Sequence, residues 1–483
     1  MGNGAISRLR FLGKALWREL FAPCDVASLA FFRVAFGISL FALATFLYNA
    51  TYIEAVGRDG FHCTAPGLDW VRPLPHGGTL FEVYALRILA ITIAFGFLYR
   101  ISCALFGLIH THILLMDMSF YQNHLYLVCL FCFLLTFMPG HRRYSVDALL
   151  WPSLRSGTIP AWPVWAIRLQ FALVFFFGGV AKCSYDWLHG EPIRAFLERS
   201  DIAVRMHQQE WMVYGFSYVG LVFDLAIPFL FMSRRTRLLA FDISLVFNIL
   251  NAQIWDIDIF PYFLMAGTTI YFDSDWPKQI WHRLRRSGKK VVAVQQDFAD
   301  SPLSATRKFL VAAGLGVYFL IQLYLPLRHY LIPGNVLWTD EGRYFAWRMF
   351  MVRKRTLATF HARDPKTGES WVVNPTAFGL PTYSALNPWS MPHNAHMFAR
   401  YAAEEYDRQG KQGVEVRAEV LCSLHRRKPQ LLFDPGLNLA TLPYSFWHSP
   451  WISELREPLP LTRVERVQAL EAWIDLGGDA REW

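Results

Sequence analysis

Pro163-Val164-Trp165-Ala166-Ile167-Arg168-Leu169-Gln170-Phe171-Ala172-Leu173-Val174-Phe175-Phe176-Phe177-Gly178-Gly179-Val180-Ala181, with Lys182 directly after it, decides the fold class. As a helix rising about 1.5 Å per residue, the run is long enough to cross a hydrocarbon core of about 30 Å. Outward from it, further apolar runs lie at 26–50, 80–98, 102–118, 124–139, 212–232, 238–255, 258–272 and 308–325. Several are short. Asn251, Gln253, Asp256 and Asp258 interrupt the pair from 238 to 272, which reads either as two spans with a tight outer turn or as one re-entrant pair. With 54% hydrophobic and 16% aromatic residues over 483 positions, the chain is too apolar for an ordinary soluble domain, so the surplus must face lipid.

The formal charge of +9 does not point to nucleic acid, because the basic residues cluster between apolar runs rather than on a soluble face. They report topology instead. Lys and Arg are retained on the cytoplasmic side, which makes the segments holding Arg8 to Arg18, Arg100, Arg142 and Arg143, Arg234 to Arg237, and Lys278 to Lys290 cytoplasmic. The first twenty residues read as a basic amphipathic stretch leading into a signal anchor from Val26 to Ala50, with no cleavable signal peptide evident. An odd number of spans then puts the C-terminus outside, in a periplasm or an ER lumen.

After Leu325 the composition changes. Thr356 to Val373 alternates polar and apolar around Asp364-Pro365-Lys366-Thr367-Gly368, a turn between two strands. Val414 to Leu424 and Gln430 to Phe433 read as another strand pair, around Arg426-Arg427-Lys428-Pro429, and Pro392 to Tyr406 as a helix. The expectation is an α-helical polytopic membrane domain of about nine transmembrane helices over 1–326, followed by a mostly β extracytoplasmic domain over 327–483. The seven cysteines are scattered, with Cys129 and Cys132 at helical spacing inside an apolar run, so no disulfide framework or zinc site is implied.

Polar residues inside lipid-facing runs are expensive and need a partner or a task. The candidates are Arg33, His124, Arg168, Lys182, Asp224, Asn248, Asn251, Gln253, Asp256 and Asp258. Lys182 reads either as a snorkelling side chain or as a lysine packed among apolar groups, whose neutral amine becomes accessible. His124, in the polar turn Tyr121-Gln122-Asn123-His124, falls on the same outer side. Gly178-Gly179 would let another helix approach closely. Arg33, Arg168 and Asp224 read as a structural network between helices. Asp256 and Asp258 read as a solvated turn, and the basic tip from Arg426 to Lys428 as a solvated turn or an attractor of acidic groups.

Ordered motifs run along most of the chain: Ala27-Ser28-Leu29-Ala30-Phe31-Phe32-Arg33, Tyr99-Arg100-Ile101-Ser102-Cys103, Asn123-His124, Leu135-Thr136-Phe137-Met138, Gly179-Val180-Ala181-Lys182 with Asp186-Trp187, Trp338-Thr339, Asn374-Pro375 and Phe433-Asp434-Pro435. In these the sequence resembles the vitamin K-dependent γ-carboxylase family, whose transmembrane part is also called the HTTM domain, in its bacterial-type form. Members oxidise vitamin K hydroquinone with O₂ to the epoxide. The strong base so generated removes a γ-proton from glutamate, and the carbanion captures CO₂. The resemblance implies a carbon–carbon lyase that uses the reduced quinone, O₂ and CO₂ without a metal, and whose partners are the bilayer, an isoprenoid quinone and a Glu-containing peptide.

On this resemblance Lys182 would deprotonate the hydroquinone and His124 would assist the oxygenated intermediate. Asn123, Phe260, Trp338, Trp347 and Met349 would line the substrate site, and Arg353 and Arg355 would lie where the family holds glutamate. The chain departs from the animal pattern in three places. Ala181 replaces the first of two adjacent lysines, and Arg353-Lys354-Arg355 replaces a His-x-Arg. Cys63 resembles a family cysteine that is paired, but Glu404 stands near its partner's position and only Cys422 remains. Three alternatives stay open at this level: an epoxidase-type relative that does not carboxylate protein, a non-enzymatic lipid or peptide binder, and a transporter using the polar residues from 248 to 258.

Overall fold

The computed structural model describes residues 2–65, 67–199, 204–255, 257–285, 303–380, 388–443, 445 and 447–480. Asp256 lies outside them. Helix α1 (Gly2–Phe21) leads into strand β1 (Pro23–Asp25), which pairs antiparallel with β2 (Thr158–Pro160). The nine apolar runs all become helical. They form α2 (Ala27–Ala42, continued by a π turn to Leu47), α3 (Gly78–Phe95), α4 (Tyr99–Met116), α5 (Asn123–Phe137), α6 (Trp162–Lys182), α7 (Glu210–Met232), α8 (Arg237–Ile254), α9 (Phe260–Gly267) and α10 (Ala305–Leu327). Among the described residues seven helices are long and apolar enough to cross a membrane, and α5 and α9 are the shorter two.

The 238 to 272 pair forms two helices, of which α8 is long and apolar enough to cross a membrane and α9 has eight residues. After α9 a 3-10 turn, Thr268–Tyr271, carries the chain back until Ser274 meets the β1 end of the bundle, where its carbonyl accepts from Ser28 N at 3.0 Å. Ile38, Phe81, Phe229 and Leu320 are between 61% and 71% exposed, which in water would be a standing liability and in a bilayer is the lipid face. Arg33, buried, and Arg168, partly buried, tie helices together as expected. Arg33 Nη1 donates to Gly140 O at 2.8 Å, and Arg168 Nε to Ile270 O at 2.9 Å, so each satisfies a carbonyl where a helix or turn ends.

The C-terminal part holds a four-stranded antiparallel sheet in the order β4-β3-β5-β6, with β3 (Lys354–Arg363), β4 (Ser370–Val373), β5 (Glu415–Leu424) and β6 (Gln430–Leu431). On β5 the alternate residues Val416, Ala418, Val420 and Cys422 are buried, the period of two that a one-sided sheet requires. They face α11 (Pro392–Arg408), whose Phe398 stacks edge-on to Phe360 at 4.8 Å. A last helix, α12 (Arg463–Asp475), starts at a capping box of Thr462 and Glu465.

Candidate active site

Helices α6 and α7 touch where the glycine pair removes side-chain bulk. A Cβ on Gly179 would come within 2.9 Å of the Leu225 backbone nitrogen, and one on Gly178 within 3.1 Å of both Asp224 Oδ2 and Met349 Cε. The close approach brings Asp224 to Lys182, so that Nζ donates to Asp224 Oδ2. Each side chain is 8% exposed, which excludes a lysine snorkelling to the headgroups. Nζ also lies 5.0 Å from the centroid of the Trp187 ring, which is fixed by its Nε1 donating to Ser217 O at 2.8 Å. Asp224, expected to belong to a structural network, belongs to this pair. The readable signal was its isolation as the single charge in the 212–232 run.

A cavity of about 320 Å³ opens beside the pair. That is the lower end of the range of about 300–1,000 Å³ usual for small-molecule sites. His124, in the first turn of α5, stacks on Phe260 with ring centroids 5.3 Å apart and 25° between planes. Its Nε2 is buried without a hydrogen-bond partner among the described residues. Asn248 and Asn251 come from α8, and Arg343, Arg348, Met349 and Phe350 from the segment joining the membrane helices to the sheet. That segment is tightly wound, with Phe345, Trp347 and Phe350 at φ of 60°, 55° and 57°. Such conformations cost energy in non-glycine residues and persist where the surroundings over-determine them. One anchor is Phe345 N, which donates to Tyr121 Oη at 2.8 Å, just before α5.

Of the residues expected from sequence, Asn123, His124, Lys182, Phe260 and Met349 share the cavity. Four others lie elsewhere. Trp347 is fully buried against Tyr126, with ring centroids 5.1 Å apart. Trp338 is buried with its Nε1 donating to Ser453 O at 2.6 Å. Arg353 donates to Ala195 O at 2.5 Å, and Arg355 is a buried strand residue opposite Ser423. Sequence reasoning did not single out Arg343, Arg348 or Trp187 as cavity residues. A flat aromatic ring carrying hydroxyls fits what remains: aromatic walls, a lysine–aspartate pair and one buried imidazole nitrogen with no partner among the described residues.

The HTTM domain family matches residues 21–276, and the family described as vitamin K-dependent gamma-carboxylase, lumenal domain, matches residues 307–458. The chain belongs to the vitamin K-dependent γ-carboxylase family. No solved structure matches it. The γ-carboxylase homologue is therefore a multi-pass membrane protein with an extracytoplasmic C-terminal domain and a carboxylase-like function.

The lumenal domain is fastened to the membrane helices four residues beyond Lys182. Arg427 clasps Asp186 with two bonds of 2.8 Å, one to each carboxylate oxygen, and His425 Nδ1 lies 2.6 Å from Oδ2. Burial pushes the Asp186 carboxyl up, but the hydrogen bonds and charges of His425 and Arg427 outweigh it and hold the group well below the usual carboxylate range. Arg426 pairs with Glu198. The basic tip is thus largely neither a solvated turn nor a free attractor. Arg426 and Arg427 are buried in the domain contact, and Lys428 is exposed. Cys63 and Cys422 are both buried and free.

Proposed function

We propose that the cavity beside Lys182 is the active site of a vitamin K-dependent γ-glutamyl carboxylase, in which quinone epoxidation by O₂ drives proton abstraction from glutamate and addition of CO₂. The observation that carries this is the buried Lys182–Asp224 pair facing a cavity in which His124 Nε2 has no partner among the described residues. When bound, the reduced quinone and O₂ supply the strong base that takes the γ-proton of glutamate. Lys182 Nζ gives its own proton to Asp224 Oδ2, takes the phenolic proton as an amine, and has the Asp224 carboxyl facing the ammonium that results. The Trp187 ring lies over Nζ, 5.0 Å from its centroid. His124, held against Phe260, presents Nε2 as the second polar group toward the ring. The aromatic walls suit this chemistry, since a strong base is quenched by water. Alternation of basic and neutral loops supports a cytoplasmic N-terminus.

One observation favours a second reading, an epoxidase-type relative without protein carboxylation: Arg353 and Arg355 do not line the cavity. A transporter is less well supported, because Gln253 is exposed and absent from the cavity wall while Asn248 Nδ2 is engaged by Ser244 O at 2.8 Å. The test is protein in nanodiscs given reduced vitamin K, O₂, radiolabelled bicarbonate and a Glu-containing peptide, with epoxide and fixed label followed together. Both products, lost in Lys182→Ala, are expected. Epoxide without label selects the second reading, and neither product, with the reduced quinone shown to bind, contradicts the reaction.

A further inference from the structure

Three cations line the cavity, and two of them are paired with a carboxylate. Lys182 meets Asp224, and Arg343 meets Asp340 at 3.1 Å. Asp340 is further committed to Lys354. Arg348 is the third. It is 9% exposed, its Nη1 is 3.1 Å from His329 Nε2, and among the described residues no carboxylate pairs with it. Burial lowers its guanidinium to about 10, which leaves it charged at neutral pH. Asp340 acts on it only from beyond ion-pair distance, and a buried guanidinium with no carboxylate against it is costly to hold, a cost that an arriving anion relieves. Guanidinium offers five N–H donors in a planar fork matched to carboxylate, and only Nη1 is engaged by His329. The next residue, Met349, reaches the Gly178 surface beside Asp224. An anion on Arg348 is therefore held in the same chamber as the lysine pair.

We propose that Arg348 is the anchor for the side-chain carboxylate of an acidic acceptor, taking the place that Arg353 and Arg355 leave vacant by lying outside the cavity. The assignment rests on the carboxylase reading of this cavity and names the residue that selects its substrate. A Glu peptide is bound and its Gln twin is not, because only the carboxylate neutralises Arg348.

The experiment measures binding of a fluorescently labelled Glu peptide and its Gln twin to the protein in nanodiscs, with the carboxylation KM for the Glu peptide in parallel. The wild type should prefer Glu. Arg348→Gln should bind the Glu peptide about tenfold to a hundredfold more weakly, the range of one charge-assisted contact, and bind both peptides alike. Arg348→Lys should recover part of the preference, which a misfolded variant would not. An Arg348→Gln protein that keeps the wild-type preference and KM overturns the proposal. So does one in which the bicarbonate KM rises while peptide binding stays intact. If the wild type forms no epoxide yet loses its Glu preference in Arg348→Gln, the vitamin K reading fails and the anchor stands.

Discussion

Two buried ion pairs hang on one short stretch of chain, at Lys182 and at Asp186, and they are finished differently. At Asp186 both carboxylate oxygens are taken, by a bidentate Arg427 and by His425. At Lys182 the ammonium donates, among the described residues, one hydrogen bond of its possible three, to Asp224, and the pair borders a cavity. The cation differs as well. Arginine keeps its charge at any physiological pH, whereas a buried lysine can give up its proton. A saturated network around an arginine fastens two domains, and an unsaturated pair around a lysine is left able to exchange a proton.

The sharpest way to break this contrast is to remove one partner from each pair. Lys182→Ala should lower product formation by about 10³-fold or more while leaving a folded protein, read from turnover per folded molecule. His124→Ala should cost about 10²–10⁴ in the same assay, the usual worth of one proton-handling group. Asp186→Asn should act on stability instead, by about 3–5 kcal/mol, because it strands the charged Arg427 in the domain contact. A melting curve in detergent reads this loss.

The latch also carries a pH signature. A carboxyl held below its unfolded value of about 3.9 contributes its full stability above that value and loses it as pH falls toward the depressed folded one. The gap in melting temperature between wild type and Asp186→Asn should thus be constant from about pH 6 to pH 8 and shrink below about pH 4. Smallest of all, Met349→Leu conserves volume in the cavity wall and should cost less than about 1.5 kcal/mol in the same melt.

The sequence carried the apolar runs, the hairpin at Asp364 to Gly368 and the helix from Pro392, because each depends on local periodicity or turn chemistry. It also carried Lys182 and His124, two polar residues at the ends of apolar runs. It could not carry their setting. Asp224 is 42 positions from Lys182, and Arg427 is 241 positions from Asp186, so those pairings exist only after the helices and the sheet have packed. Arg348 was hidden for a related reason. Beside Arg353, Lys354 and Arg355 it is one more basic residue, and what sets it apart is a place on the cavity wall with no carboxylate paired to it among the described residues.

The most direct test sets Asp224→Asn against Asp186→Asn, measuring epoxide formation per folded molecule and melting temperature on the same preparations. Asp224→Asn should lose at least about a hundredfold in rate and little in melting temperature, since an amide cannot accept the proton that Lys182 must give up before it takes the phenolic one, yet fills the same space beside Lys182. Asp186→Asn should show the reverse order. Equal turnover in Asp224→Asn and wild type would contradict the claim that the Lys182–Asp224 pair is the chemical centre.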